Sequence, residues 1–466
     1  MDNYAVDKEL LMEESLEKIM ELLVEKQYFL ARDELLKYNA VDIADLLQEI
    51  IDDSGIQMAV IMFRLLPKDT SVEVFAELPS DDQVNIVNEI TDKEIAFIMD
   101  EMDFDDKIDI LEELPANVVD KILDQTPKSE RKQINMFLNY PEDSAGSLMT
   151  PEYISLQKKW TVRQALEHIK KENMEAETVY TCYVKDTGRK LIGIVSLAKL
   201  VISDDDTRIM DIMVTDYIYE TVNTDQEDVA DDFKKYGYLA LPVVDKEHRL
   251  VGIITFDDVM DVMEDEATED IERMNGVIDF EDSDKGYLDI SVWQHAKNRL
   301  PWLIILMIAY IFTGRIITSF ETSLSKVIEL VAYMPMLMGT GGNCGSQAAT
   351  LIIRGLATDE VDTGDALKVL WKEIRIGAII GVVLSILNYG RIWFIDGVHN
   401  PGIAMTVCAS MLFIVIIAKV IGSMIPLIVE KIHLDPALIA NPAISSVSDA
   451  VALSIYFAMA MTFLPI

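Results

Sequence analysis

The sequence predicts a multidomain membrane protein in four consecutive parts: an all-α N-terminal helical-repeat domain, an α/β tandem pair, a connecting helix and a five-helix transmembrane domain. Three observations predict it. Apolar runs long enough to cross a bilayer, which takes about 20 residues, occur only beyond Leu300. Charge divides at the same place: residues 291–466 hold 11 Lys+Arg and 11 Asp+Glu, so the whole formal net charge of −40 falls on residues 1–290. Within residues 1–290, two internal repeats of different period mark two different architectures.

The acidity of residues 1–290 argues against nucleic acid or anionic lipid surfaces as partners, because both select Lys and Arg; it suits cations. Cys182, Cys344 and Cys408 lie too far apart for a zinc pattern or a disulfide framework and read as reduced, small apolar residues. The five histidines show no metal-ligand spacing, and the acidic opening "MDNYAVDKELLMEE" predicts no signal peptide.

Residues 1–140 form the first part. Pro67, Pro79, Thr91, Asp103, Pro115 and Pro127 recur every 12 residues, each preceded by an apolar residue or Thr. Such residues start or stop helices, so each unit holds roughly two helical turns with one apolar stripe. A unit of that size cannot bury its stripe alone, and the units must stack into a small solenoid. Asp81, Asp82, Asp105, Asp106 and Asp109 fall on its surface, where a solvated face explains each one taken singly.

Residues 141–262 form the second part. "YVKDTGRKLIGIVSLAKL" and "PVVDKEHRLVGIITFDDV" match at an offset of 59, pairing Asp186 with Asp245 and Gly193 with Gly252. Each half reads as a strand, a turn, a second strand and a helix, and "LMTPEYISL" and "IMVTDYIYE" correspond upstream. The pattern resembles a pair of CBS domains. That resemblance implies a site for an adenine nucleotide such as ATP, with Thr255 and Asp258 carrying the ribose-phosphate motif. The first repeat departs from the motif, having Lys199 three residues after Ser196.

The junction, residues 263–298, is read as an acidic connecting helix. Asp258, Asp261, Asp265, Glu269 and Glu272 follow steps of three and four and share one helical face. Like charges at that spacing repel, so a helix there is held by neutralisation. Hydrated Mg²⁺ or Ca²⁺ suits carboxylate oxygens, although no EF-hand spacing is present. An exposed acidic linker is the plainer alternative.

Residues 299–466 are expected to cross the membrane five times, at about 299–320, 327–356, 367–394, 402–430 and 436–463. The second span is expected to be broken by Pro335 and a glycine cluster. Lys and Arg favour the flanks on the side of the N-terminal domains, which places those domains in the cytoplasm and the C-terminus outside a cell (inner) membrane. Gly339, Gly341, Gly342 and Gly345 stand among Thr340, Asn343, Ser346 and Gln347, where they allow close backbone approach or open carbonyls toward water. In the last span Asn441, Ser445 and Asp449 lie four apart, a polar stripe ending in an acid. A carboxylate at mid-bilayer costs about 3 kcal/mol or more, so Asp449 marks either a cation path or a buried ion pair, for which Lys419 is the available base.

At this point the sequence resembles the MgtE family of magnesium transporters. The resemblance rests on "PMLMGTGGNCGSQAATLIIRGLA" (335–357), "EATED" (266–270), "DPALIANPAISSVSDA" (435–450) and the order of the four parts. It implies a homodimer with one Mg²⁺ pore on its two-fold axis, lined by the second and fifth spans, with Asp449 as pore acid and Asn441 and Asn343 lining the route. It further implies regulatory Mg²⁺ on Asp258, Asp261, Glu266, Glu269, Asp270 and Asp435, faced by Asp105 and Asp109. The expected function is a Mg²⁺-selective importer that cytosolic Mg²⁺ closes, not an enzyme. Transport of Co²⁺ or Mn²⁺, Mg²⁺ export, a membrane enzyme on phosphate substrates and an anchored nucleotide sensor are the competing readings. "GTGGNCGSQ" lacks the Lys-Ser/Thr ending of a phosphate-binding loop, which weakens the enzyme reading.

Overall fold

The computed structural model describes residues 2–172, 176–277, 287–288, 290–320, 327–358, 360–438 and 441–464. The chain divides into two compact units, Met1–Glu264 and Asp265–Ile466.

The first unit begins with α1 (Asp2–Val24), α2 (Tyr28–Leu35), α3 (Ala40–Ser54) and α4 (Ile56–Leu65). The 12-residue period then appears as α5 (Lys68–Ala76), α6 (Ser80–Glu89), α7 (Asp92–Glu101), α8 (Phe104–Glu113), α9 (Ala116–Gln125) and α10 (Lys128–Phe137). Pro67, Pro79, Thr91, Asp103, Pro115 and Pro127 are their N-caps. The proline ring fixes φ near the value a helix needs and holds the preceding residue extended, so each mark both stops one helix and starts the next. Thr91 does the same work through a capping box with Glu94.

Helices pack on their next-but-one neighbours, α3 on α5, α4 on α6 and so on to α7 on α9. Met62, Val74, Ile86, Ile98, Ile110, Ile122 and Ile134, again 12 apart, are all buried in the resulting core. The helices are about ten residues long, nearer three turns than the two expected, because the apolar stripe continues to the residue before each cap.

The tandem pair follows as β1 (Tyr153–Gln157), α11 (Val162–Glu172), β2 (Thr178–Lys185), β3 (Leu191–Ser196), α12 (Leu197–Ile202) and α13 (Ile209–Ile212). Its second half is β4 (Glu220–Thr221), α14 (Gln226–Tyr236), β5 (Ala240–Val244) and β6 (Leu250–Thr255). Each half is a three-stranded sheet, order β1-β2-β3 and β4-β5-β6, with its first pair parallel and its second antiparallel. The halves exchange edges: Thr150 bridges Ile253 of β6, and Val214 bridges Ile194 of β3. Gly193 and Gly252 permit this, since a Cβ at either would stand 3.0 Å or less from the Val214 or Thr150 carbonyl oxygen.

α15 (Phe256–Met274) runs on directly from β6. It starts earlier than the expected connecting helix and ends at Met274, followed by Gly276 at φ +72°; residues 278–286 of the expected connection lie outside the described residues.

The second unit holds α16 (Val292–Ser319), α17 (Met334–Ala357), α18 (Ala366–Phe394), α19 (Pro401–Lys431) and α20 (Asn441–Phe463). Among the described residues α16, α19 and α20 are long and apolar enough to cross a membrane. α17 and α18 have 24 and 29 residues and pack on α19, α17 also on α20. Pro335 does not break a span. It stands in the first turn of α17, which runs unbroken through the glycine cluster.

Candidate functional site

In the second unit the polar stripe lies on α20. Asn441, Ser445 and Asp449 are each half-buried along the helix, beside buried Ile444 and Ser448. α17 packs against this stripe through its glycines. A Cβ on Gly342 would stand 3.3 Å from Ser445 Oγ and 3.7 Å from Asp449 Oδ1, and one on Gly345 would stand 2.9 Å from Ser448 Oγ. The glycines therefore supply close approach rather than a broken backbone. Ser346 and Ser445 pair through their hydroxyls at 3.2 Å, and Ser346 also donates to the Asn441 carbonyl at 3.5 Å.

Asn343 is exposed on the adjoining face of α17. Asn343, Ser346, Gln347, Thr350 and Leu351 of α17 and Lys419 of α19 line an open groove of about 600 Å³. Asn441 Oδ1 is buried with no partner among the described residues. Asp449 makes no ion pair or hydrogen bond among them either, so Lys419 does not neutralise it. The pairing alternative for Asp449 has no support in the geometry.

The C-terminal turn of α15 belongs to the same unit. Arg273 pairs with Glu269 one turn earlier and, at 3.1 Å, with Oδ2 of Asp435, while Asp435 Oδ1 accepts from the Ala437 N–H at 2.7 Å. Burial, then the Asp435 carboxylate, push Asp270 above the ordinary carboxylate range, against the pull of Arg273. Met274 packs with Ala349 and Ile353 of α17 and Ile444 of α20, and Gly276 lies against the Trp302 indole. Glu266 is half-buried on α15.

In the first unit, Asp258 lies one turn into α15. Its Oδ2 accepts from Thr255 Oγ1 at 2.6 Å, so these two motif residues bond each other. Around Asp258 collect acids from distant parts of the chain. Burial, then Asp258 and Glu177, push Asp105 up to about 8. Burial, then Asp103 and Asp258, push Asp106 to about 6 and Glu177 to about 7. Burial raises Asp258 and Asp261 as well. Carboxylate oxygens of Asp103, Glu152 and Glu177 all lie within 4.8 Å of one another. Of the repeat-domain acids read from the sequence, Asp105 lies in this cluster and Asp109 is exposed on α8. Asp106, expected on a solvated face, joins the cluster, and Asp103, Glu152 and Glu177 are acids that the sequence does not single out for it. In the sequence Asp103 stands out only as a helix mark, Glu152 is a lone acid, and Glu177 follows Glu172 and Glu175 with no spacing that points to the other acids.

Comparison with known proteins covers both units. The family model MgtE, divalent cation transporter, matches residues 334–459; the MgtE intracellular N domain matches 38–143; and the CBS domain matches 145–203 and 209–265. The magnesium transporter MgtE of Thermus thermophilus is 40% identical over 343 residues, 73% of this chain and 74% of that protein. Its counterpart from Bacillus subtilis is 35% identical over the same length and shares. A crystal structure of the soluble part of a magnesium transporter is similar at TM-score 0.50 and 31% identity, covering 55% of this chain and 99% of that one. The cytosolic domain of the Mg²⁺ channel MgtE in complex with ATP is similar at TM-score 0.50 and 32% identity, covering 53% and 99%.

Proposed function

This chain belongs to the MgtE family of magnesium transporters, a family of transporters rather than enzymes, and on that premise we propose that it is a Mg²⁺-selective, channel-type importer closed by Mg²⁺ on its own cytoplasmic side. The observation that carries the reading is the stripe Asn441–Ser445–Asp449, ending in an acid with no counter-charge among the described residues and packed on glycines of α17. Mg²⁺ loses its water shell reluctantly and prefers octahedral oxygen. A route offering amide, hydroxyl and one carboxylate per subunit can hold the hydrated ion through its waters. In a homodimer two Asp449 side chains would together offset its charge, and few direct ligands keep the hold weak enough for exit. The membrane potential drives entry, worth about 4.6 kcal/mol per 100 mV for a divalent ion, twice the single-charge value. The same reading takes α16–α20 as five spans in a cell membrane, with the N-terminal domains in the cytoplasm and the C-terminus outside.

The acids are the proposed sensor. Carboxylates with raised proton affinity are groups short of counter-charge, and an all-oxygen donor set suits Mg²⁺. Asp105, Asp258 and Asp261, and separately Glu266, Glu269, Asp270 and Asp435, are the residues that would hold regulatory ions, with Asp109 at the margin. ATP is a proposed second effector at the CBS pair; a ribose at Thr255 and Asp258 would have to replace the bond between them.

Mg²⁺ entry into vesicles containing the reconstituted chain tests the pore. Asp449→Ala abolishes entry; unchanged entry removes Asp449 from the route. Competition by Co²⁺ and Mn²⁺ in the same assay, and loading from the opposite side, separate the other cargo and the export reading.

A further inference from the structure

Lys419 is 4% exposed in α19 and makes no hydrogen bond or ion pair among the described residues. An unpaired ammonium in a membrane bundle is costly to keep, and such groups face a bundle interior or a water-filled cavity. Here it faces the groove. The approach of α19 to α17 explains how it gets there. Three residues on, the backbones of Gly422 and Gly345 meet so closely that a Cβ at Gly422 would stand 2.0 Å from the Gly345 carbonyl oxygen. That contact brings Lys419 within reach of the α17 face carrying Asn343, Ser346, Gln347 and Thr350.

The groove is not separate from the stripe. Ser346 lines the groove and pairs with Ser445, and Gly342, next to Asn343, packs on Ser445 and Asp449. An anion in this groove would sit beside the acid of the stripe. A cation passing along the stripe, by contrast, meets the field of Lys419 at the level of Ser346.

We propose that Lys419 is a further functional residue of the ion route, whose positive charge loosens the grip of the Asn441–Ser445–Asp449 stripe on a divalent cation and so sets its release. This rests on the reading of Asp449 as the pore acid. A fixed charge acts twice as strongly on a divalent ion as on a monovalent one at the same place. Conduction needs a site that attracts an ion and then releases it, and Lys419 sets the release side of that balance.

The test is Mg²⁺ entry into vesicles containing the full chain, measured over a range of Mg²⁺ concentrations for wild type, Lys419→Met and Lys419→Arg. Lys419→Met lowers the half-saturating concentration about threefold or more and lowers the maximal rate, because the ion is held longer. Lys419→Arg keeps the charge and stays close to wild type. A half-saturating concentration that Lys419→Met leaves unmoved overturns the proposal, as does an equal fall in rate for Met and Arg without such a shift, the mark of a packing role. Asp449→Asn is run beside them. If it conducts as wild type does, the pore reading fails on its own evidence, and the stripe is lost as the partner of Lys419.

Discussion

Asp449 and the cluster around Asp258 pose the same problem to the chain, carboxylates short of counter-charge, and place it in different solvents. The cluster titrates in water, and its sign can be worked out. Asp105, Glu177 and Asp106 hold protons up to about 8, 7 and 6, whereas carboxyls of an unfolded chain lose theirs near about pH 4. Between those limits the folded unit binds more protons than the unfolded chain, so the contribution of these groups to stability falls as pH rises through the window. On the proposed sensor reading, a divalent cation takes the protons' place. Adding Mg²⁺ to the detergent-solubilised chain in weak buffer therefore releases protons near pH 6.5 and almost none near pH 9, read with a pH dye. Equal release at both pH values would show that these acids do not hold the ion. Residues of this cluster were only partly legible in the sequence. Asp258 and Asp105 belong to acidic runs, but Glu152 stands alone and Glu177 ends a short series with Glu172 and Glu175 on the other side of α11, and only the fold of the pair brings them to Asp103. Asp449 was legible at once, because a charge interrupts an apolar run there.

Elements were easier to read than sites wherever one residue type has one mechanical effect. The 12-residue marks became helix caps because proline and capping hydroxyls act locally. The glycine cluster of α17 was harder, since glycine serves both broken backbone and close packing. The neighbours decide it: Gly341 faces Ile414 and Ala452, Gly342 faces Ser445, and Gly345 faces Gly422. A regular helix is thus thinned on one side so that α19 and α20 can both reach it. Gly422→Ala forces a methyl onto a carbonyl and costs about 1–3 kcal/mol, the usual scale of overpacking. The thermal midpoint of the solubilised protein falls accordingly. Gly390→Ala in α18, where a Cβ meets nothing within 4 Å, does not lower it. If both variants behave alike, the α17–α19 contact is not the tight one described.

At the scale of the whole molecule, the division of charge is the feature that makes a sensor plausible: residues 291–466 are neutral and residues 1–290 carry a net −40. Self-repulsion of that size opposes compaction and is relieved by whatever cation is present, so cation concentration becomes a variable of shape. The acids nearest the membrane unit's own helices are where such a variable can act on the route. There Arg273 already neutralises part of Glu269 and Asp435, and Met274 packs on the ends of α17 and α20 that also carry Ile353 and Ile444. Burial and the neighbouring Asp435 carboxylate leave Asp270 favouring a cation, and each ion shifts the equilibrium only by its difference in affinity between closed and open forms. Several weak sites are therefore needed for a steep response. Replacing Glu266, Glu269 and Asp270 together by Gln, Gln and Asn removes the demand for those ions along with the ligands. Vesicle flux through that variant continues at millimolar Mg²⁺ on the side of the acidic domains, a condition under which the proposed gating closes wild type. Closure at the wild-type concentration would place the sensor elsewhere and leave the acidity of residues 1–290 as a matter of solubility.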